Sequence, residues 1–284
     1  MTTEAEEIRL SLPHIELAAH VFGPADGHPV IALHGWLDNA NSFARLAPKL
    51  AGLRIVALDM AGHGLSQHRP VGADYALWDY AHDVLQVAEQ LGWERFSLMG
   101  HSLGAIVSVV LAGAVPERIE RLALIDAVVP PGAAAESTAE RFGQALQAQL
   151  ALSDKRKSVY PSLARGVEVR MNGLVAVSRG AAELLAQRGL MPVPGGFSWR
   201  SDSRLTLPTP LRMTQEQAMS FVHRIACPAH LVVAQDGMLA KHTALLSQLP
   251  FSHEYLPGGH HLHLNDDAGA ALVASCFNRF FAMP

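Results

Sequence analysis

Short apolar runs bounded by turn residues alternate with stretches of helical periodicity over most of the chain. The runs have the length and composition of strands buried in a parallel sheet, and they lie at 30–33, 54–59, 96–99, 121–126 and 229–235. Between two of them, apolar residues recur at helical spacing from Leu77 to Leu91, where Gly92 supplies a C-terminal cap. This alternation predicts an α/β fold, with a mostly parallel central sheet and helices on both faces.

The first fifty residues add smaller elements. Alternating apolar residues at 8–12 and an extended run at 15–22 predict an opening antiparallel hairpin. Phe43, Leu46 and Leu50 share one face of a predicted helix.

The alternation stops at Val129-Pro130-Pro131-Gly132 and resumes near residue 226. Residues 130–225 have a helical tendency that glycine and proline interrupt. An insertion of this length is expected to lie over the edge of the sheet that carries the active site. We therefore expect a core domain formed by residues 1–129 and 226–284, with a helical cap at 130–225.

Composition and charge exclude some classes of function. The formal charge is −4 and forms no basic stripe, so nucleic acid is not expected as a partner. The acidic first residues lack an export signal, and the apolar stretch at 103–115 is too short to span a bilayer. Cys227 and Cys276 have neither disulfide-framework nor metal-ligand spacing, which suits a reducing cytoplasm. Oligomeric state is left open.

The candidate nucleophile lies in Gly100-His-Ser-Leu-Gly104, between an apolar strand and a helical pattern. This is the order of strand, sharp turn and helix in the G-x-S-x-G nucleophile elbow, which raises the serine above the sheet edge. Ser102 is therefore the predicted nucleophile, although a helix N-cap serine is the simpler alternative.

A serine hydroxyl needs a base with a pKa near the working pH, and histidine meets that need. Among 15 histidines, His260 stands out because it follows the last strand in a loop that begins Gly258-Gly259. His261 and His263 are its rivals.

The base in turn needs a carboxylate that holds its tautomer. Asp236 directly follows the strand at 229–235, in the chain order serine, acid, histidine. Asp126 ends the strand after the elbow helix and is the competing candidate. We expect Asp236.

Two backbone amides are candidates for binding the developing oxyanion, those of Trp36 and Leu103. The side chains of Trp36 and His101 are expected beside the substrate. A metal site built on His34, His63 and His101 lacks supporting carboxylate or cysteine spacing. Neither a metal nor a cofactor is expected.

Four motifs in this order resemble the α/β-hydrolase superfamily, namely His34-Gly35-Trp36, Asp59-Met-Ala-Gly-His-Gly-Leu-Ser66, Gly100-His-Ser-Leu-Gly104 and Gly258-Gly-His260. Residues 32–39, 95–102 and 183–189 resemble more narrowly the serine hydrolase-like proteins. The resemblance implies a triad of Ser102, Asp236 and His260 with an oxyanion hole from Trp36 and Leu103. The spacing around Asp236 departs from that of many relatives.

These residues predict a cytoplasmic serine hydrolase that cleaves carboxylic esters of small to medium acyl or aromatic groups through an acyl-enzyme. A thioester, lactone or carbon–carbon bond remains an alternative for the same triad. Relatives with an aspartate nucleophile are excluded because position 102 is serine. A non-catalytic binding protein on this fold is the alternative from another class.

Overall fold

A computed structural model describes residues 5–152 and 157–283. Its main sheet has eight strands in the spatial order β1-β2-β4-β3-β5-β6-β9-β10. Their bounds are β1 Glu6–Ser11, β2 Glu16–Phe22, β3 His28–Leu33, β4 Leu53–Leu58, β5 Phe96–His101, β6 Ile119–Ile125, β9 Ala229–Asp236 and β10 Ser252–Gly259. A separate hairpin joins β7 (Leu190–Val193) to β8 (Gly196–Trp199).

The strand directions follow the predicted pattern. β1 and β2 form the opening antiparallel hairpin, and β2 runs antiparallel to β4. The pairs from β4 to β10 are all parallel. The carboxyl ends of the parallel strands therefore lie along one edge, where open α/β sheets place their ligands.

Helices cover both faces of the sheet. They are α1 Leu77–Leu91, α2 Leu103–Ala114, α3 Thr138–Leu152, α4 Leu163–Met171, α5 Arg179–Gly189, α6 Gln215–Arg224, α7 Thr243–Leu246, α8 Leu262–Asn265 and α9 Asp267–Ala282. One buried hydrophobic cluster includes Val84 of α1, Val109 of α2 and Val222 of α6. A second buried hydrophobic cluster includes Phe277 of α9 together with residues of the sheet. Within the described residues, no helix is long and apolar enough to cross a membrane.

The helix expected around Phe43, Leu46 and Leu50 is two 3₁₀ turns instead, at Ala40–Phe43 and Ala47–Lys49. The second turn begins with Ala47 and Pro48, and proline provides no N–H and disfavours the α conformation before it. The three apolar side chains are nevertheless buried, as their spacing predicted.

We use the term insert for the described residues 130–152 and 157–210, which lie between β6 and β9 in the chain. It has its own small core, including Val167, Leu185 and Leu190. The sequence placed α6 in this region as well, but α6 packs on α2. A Cβ at Gly113 of α2 would lie 2.4 Å from the carbonyl oxygen of Phe221, so the two helices are in close contact.

A buried arginine fastens the insert to the sheet. Arg188 at the end of α5 donates through Nε to Asp59 at 2.7 Å and pairs with Glu7 through both terminal nitrogens. Asp59 is fully buried and also accepts the amides of Ala40 and Leu65, each at 2.7 Å. Asp59 is therefore a structural residue that ties the insert to the loops after β3 and β4.

Replacing Arg188 with methionine should lower the free energy of unfolding by about 3–5 kcal/mol, because it leaves the Asp59 carboxylate buried without its cation. Urea denaturation measures this change. Arg179→Met on the same helix is the matched control, since its ion pair with Glu183 spans 3.9 Å between side chains that are 57% and 51% exposed. That control should cost less than about 1 kcal/mol. Equal losses of unfolding free energy in the two variants would contradict the proposed role of Arg188 in attaching the insert.

Candidate active site

Ser102 occupies a strained turn between β5 and α2. Its φ of 52° and ψ of −117° lie in a region that side-chain-bearing residues rarely adopt. The turn is tight because a Cβ at Gly100 would lie 2.5 Å from the backbone of Ala105, and one at Gly104 would lie 2.0 Å from the carbonyl oxygen of Leu33. The sequence folds this way because glycine stands at both close approaches.

Asp126 directly follows β6, the neighbour of β5. The two strand ends are joined by a hydrogen bond of 3.2 Å from the amide of Ser102 to the carbonyl of Ile125. Asp126 also has a left-handed backbone, with φ 50°, and is 1% exposed. Its Oδ1 accepts the amide of Ala234 at 3.2 Å, and its Oδ2 accepts that of Met238 at 2.9 Å.

His260 follows β10 and meets the same carboxylate. Its Nδ1 lies 2.6 Å from Oδ2 of Asp126. Because a carboxylate only accepts hydrogen bonds, this contact places the ring proton on Nδ1 and leaves Nε2 with a lone pair. That is the tautomer a general base requires.

The carboxylate in contact with His260 is that of Asp126, the competing candidate for the acid. Asp236 is exposed at the end of β9, and its backbone pairs with Gly259. The next residue is Gly237, where a Cβ would lie 2.3 Å from Oδ2 of Asp126. Glycine at this position therefore makes room for the carboxylate of Asp126.

The two residues whose amides are expected at the oxyanion site, Leu103 and Trp36, follow β5 and β3, which are adjacent strands. Leu103 is the first residue of α2, where an α-helix leaves N–H groups without intrahelical acceptors. Trp36 lies in the loop after β3, and the amide of Gly104 donates to His34 of that loop at 3.0 Å. The Trp36 indole is 40% exposed, and its Nε1 donates to the carbonyl of Leu205 in the insert at 2.8 Å.

His101 has a different position from the one expected. It is completely buried, and its Nε2 donates to the carbonyl oxygen of His260 at 2.9 Å. Its ring centroid lies 4.7, 4.8 and 4.3 Å from those of His260, His261 and His263. His101 thus supports the loop that carries the base, and it is not exposed to a substrate.

His261, the rival base, has a carboxylate of its own. Its Nε2 lies 3.0 Å from Oδ2 of Asp38, and Arg170 of α4 donates to Oδ1 of the same residue at 2.7 Å. Burial alone would raise the pKa of Asp38, but attraction to His261 and Arg170 outweighs it and holds this pKa well below its usual value. Sequence reasoning missed Asp38, whose only local signal was the Leu-Asp-Asn after Trp36, and Arg170, which has no comparable signal.

A cavity of about 380 Å³ is lined almost entirely by the insert, with Leu37 of the loop after β3 in its wall, and Ser102, Asp126 and His260 do not line it. Tyr160, Val169 and Trp199 contribute apolar surface from the insert. Lys157, Arg170 and Asp202 add polar groups. This volume is within the range of small-molecule sites.

Comparisons with known proteins agree with this fold. A family model for the alpha/beta hydrolase fold matches residues 28–267. A serine hydrolase-like protein of Danio rerio is 32% identical, over 98% of this chain and 89% of its own length. The crystal structure of a hypothetical protein from Pseudomonas aeruginosa PAO1 has a TM-score of 0.96 and 67% identity, covering 98% of this chain and 100% of that one. A thioesterase domain from the curacin biosynthetic pathway has a TM-score of 0.81 and 26% identity, covering 97% and 100%.

The buried histidines predict an acid-sensitive fold. Burial lowers the pKa of His63 and of His263 from 6.5 to about 3. Below about pH 6.5 the unfolded chain binds protons that the folded chain excludes, so stability is lost as the pH falls towards 3. Each such histidine should cost about 1.4 kcal/mol per pH unit in that window.

Urea denaturation at about pH 7, 6 and 5 measures this slope. His263→Gln should reduce the slope of the unfolding free energy against pH by the equivalent of about one proton, or roughly 1.4 kcal/mol per pH unit. His253→Gln, at an exposed histidine, is the control and should leave it unchanged. Identical slopes in the two variants would contradict the conclusion that burial of His263 makes the fold sensitive to acid.

Proposed function

Because the chain belongs to the α/β-hydrolase family, we propose that it is a serine hydrolase that cleaves carboxylic esters through an acyl-enzyme. Ser102 is the nucleophile, His260 the base and Asp126 the acid that orients it. The observation that carries this proposal is the 2.6 Å contact between His260 and Asp126, beside the strained turn of Ser102.

The reaction begins with attack of the Ser102 hydroxyl on the ester carbonyl. His260 takes the hydroxyl proton at Nε2 and returns it to the leaving alcohol, and Asp126 stabilises the imidazolium through Nδ1. Water then attacks the acyl-enzyme with the same proton transfers through His260, which releases the carboxylic acid and regenerates Ser102. The amides of Trp36 and Leu103 bind the oxyanion in both halves of the reaction, and removing one such donor costs about 3–4 kcal/mol in a serine protease of unrelated fold.

The backbone strain at Ser102 favours an enzyme over a binding protein. A residue in such a conformation costs on the order of 1–3 kcal/mol and persists where its surroundings enforce it. Here Gly100 and Gly104 enforce it by close packing. A fold that no longer needed an exposed nucleophile would gain stability by relaxing this turn.

The insert is proposed to act as the cap and to shape the substrate pocket. The 380 Å³ cavity begins beside Leu37, the residue after the proposed oxyanion donor Trp36. Its aromatic and aliphatic wall suits a small to medium acyl or aromatic group. A series of p-nitrophenyl esters of graded acyl length tests this, and kcat/KM should pass through a maximum and fall once the chain exceeds the cavity.

Thioester cleavage is the second candidate, favoured by the 26% identity with the thioesterase domain. The same triad and oxyanion donors serve both bonds. Comparing kcat/KM for an oxygen ester and a thioester of one acyl group separates them. A ratio that favours the thioester beyond the difference in intrinsic reactivity would replace ester by thioester as the substrate class.

Ser102→Ala should lower kcat by roughly 10³- to 10⁶-fold, because it removes the nucleophile. A fluorophosphonate probe should label the native protein at Ser102 and leave the variant unlabelled. Ser102→Gly should be equally inactive but more stable than Ser102→Ala by about 1 kcal/mol, since glycine adopts the turn without strain. Ester turnover that survives either substitution would refute the proposal.

Asp126→Asn should lower kcat by about 10⁴-fold, as loss of the triad acid does in a serine protease, because the amide no longer holds the base tautomer of His260. Asp236→Asn is the matched control at the end of the adjacent strand, and it should retain activity within about twofold. Kinetics with one ester substrate, together with thermal melts, distinguish catalysis from folding. The reverse pattern would restore Asp236 as the acid.

A further inference from the structure

Three side chains that commonly bind metals converge at the edge of the sheet formed by β9 and β10. They are His230 of β9, Glu254 of β10 and Cys276 of α9, and one ligand atom from each lies within 4.8 Å of the others. His230 pairs with Ser252 at the amino ends of the two strands. The cluster is therefore at the opposite end of the strands from Ser102, Asp126 and His260.

The imidazole of His230 is held with one nitrogen directed at the thiol. Nδ1 lies 2.7 Å from the Ser252 hydroxyl, and Nε2 lies 3.1 Å from Sγ of Cys276. When Nδ1 donates to the hydroxyl, the lone pair of Nε2 faces sulfur. A hydrogen bond at the outer nitrogen is what metal-binding histidines almost always have.

A thiol beside an imidazole could instead form a nucleophilic pair. That alternative requires a thiolate, which nearby positive charge favours. Here the third side chain of the cluster is the carboxylate of Glu254, whose negative charge disfavours a thiolate nucleophile and offers a cation another ligand.

We propose that His230, Glu254 and Cys276 bind a thiophilic divalent metal ion, for which Zn²⁺ has the matching chemistry. Zinc takes nitrogen, sulfur and carboxylate oxygen in a tetrahedral arrangement, and three protein ligands leave the fourth position for water. Binding replaces the S–H bond of Cys276 with an S–Zn bond, and the thiol proton passes to solvent. No electron transfer is involved.

The surrounding charges are compatible with such an ion. Arg279 donates to Oε2 of Glu254 at 2.8 Å, and a carboxylate has a second oxygen with which to bind the metal. Glu254 is 41% exposed, so the ion has a route from solvent. The bound ion would join β9, β10 and α9, and would stabilise the attachment of the closing helix to the sheet.

Cobalt substitution tests the site directly. Protein stripped with EDTA and kept reduced is titrated with Co²⁺, and thiolate-to-cobalt charge-transfer absorption is recorded in the near ultraviolet. We expect absorption that saturates at one equivalent and is removed by Zn²⁺. Cys276→Ala should abolish it, while His230→Gln and Glu254→Gln should weaken the cobalt Kd by at least about tenfold.

The chain has two cysteines, so the thiolate signal is specific. Cys227→Ala is the matched control and should leave the titration unchanged. His230→Gln keeps the buried thiol in place and decides the question if Cys276→Ala fails to fold. Absence of the absorption in the native protein, its survival in Cys276→Ala, or an unchanged Kd in His230→Gln would overturn the proposal.

Discussion

The carboxyl edge of the sheet around Ser102 depends on one buried side chain, the carboxylate of Asp126. A carboxylate that is 1% exposed is tolerated only when donors surround it. Its donors come from two different parts of the chain, the amides of Ala234 and Met238 around the end of β9 and the ring of His260 after β10. The same carboxylate therefore fixes the loop after β9 and the position of the proposed base.

Ser102 and His260 could be proposed as nucleophile and base from the sequence because both have local signals. Gly100 and Gly104 frame Ser102, and Gly258-Gly259 precede His260. The acid has no such signal, since Asp126 and Asp236 both end apolar strands and β6 and β9 are adjacent. What separates them is a contact across the sheet, the approach of the Asp126 carboxylate to Gly237, and a linear pattern does not contain that information.

The same limit applies to the insert. Its helical tendency is a property of the local sequence, and α3, α4 and α5 confirm it. Its attachment is not local, because Arg170 and Arg188 pair with aspartates that lie far away in the chain. Asp38 and Asp59 follow β3 and β4 by a few residues, so the points of attachment are at the carboxyl edge of the sheet, close to the proposed chemistry.

Adjacent histidines connect these two parts of the molecule. His260 contacts Asp126 on the side of the nucleophile, and His261 contacts Asp38, which also holds Arg170 of the insert. Swinging the insert away would leave Asp38 without its arginine, and breaking a buried pair in this way costs about 3–5 kcal/mol. The insert is therefore better suited to be a fixed wall of the pocket than a mobile lid. The adjacent residues His260 and His261 therefore link the Asp126 carboxylate to one attachment of the insert, and Arg188 provides another.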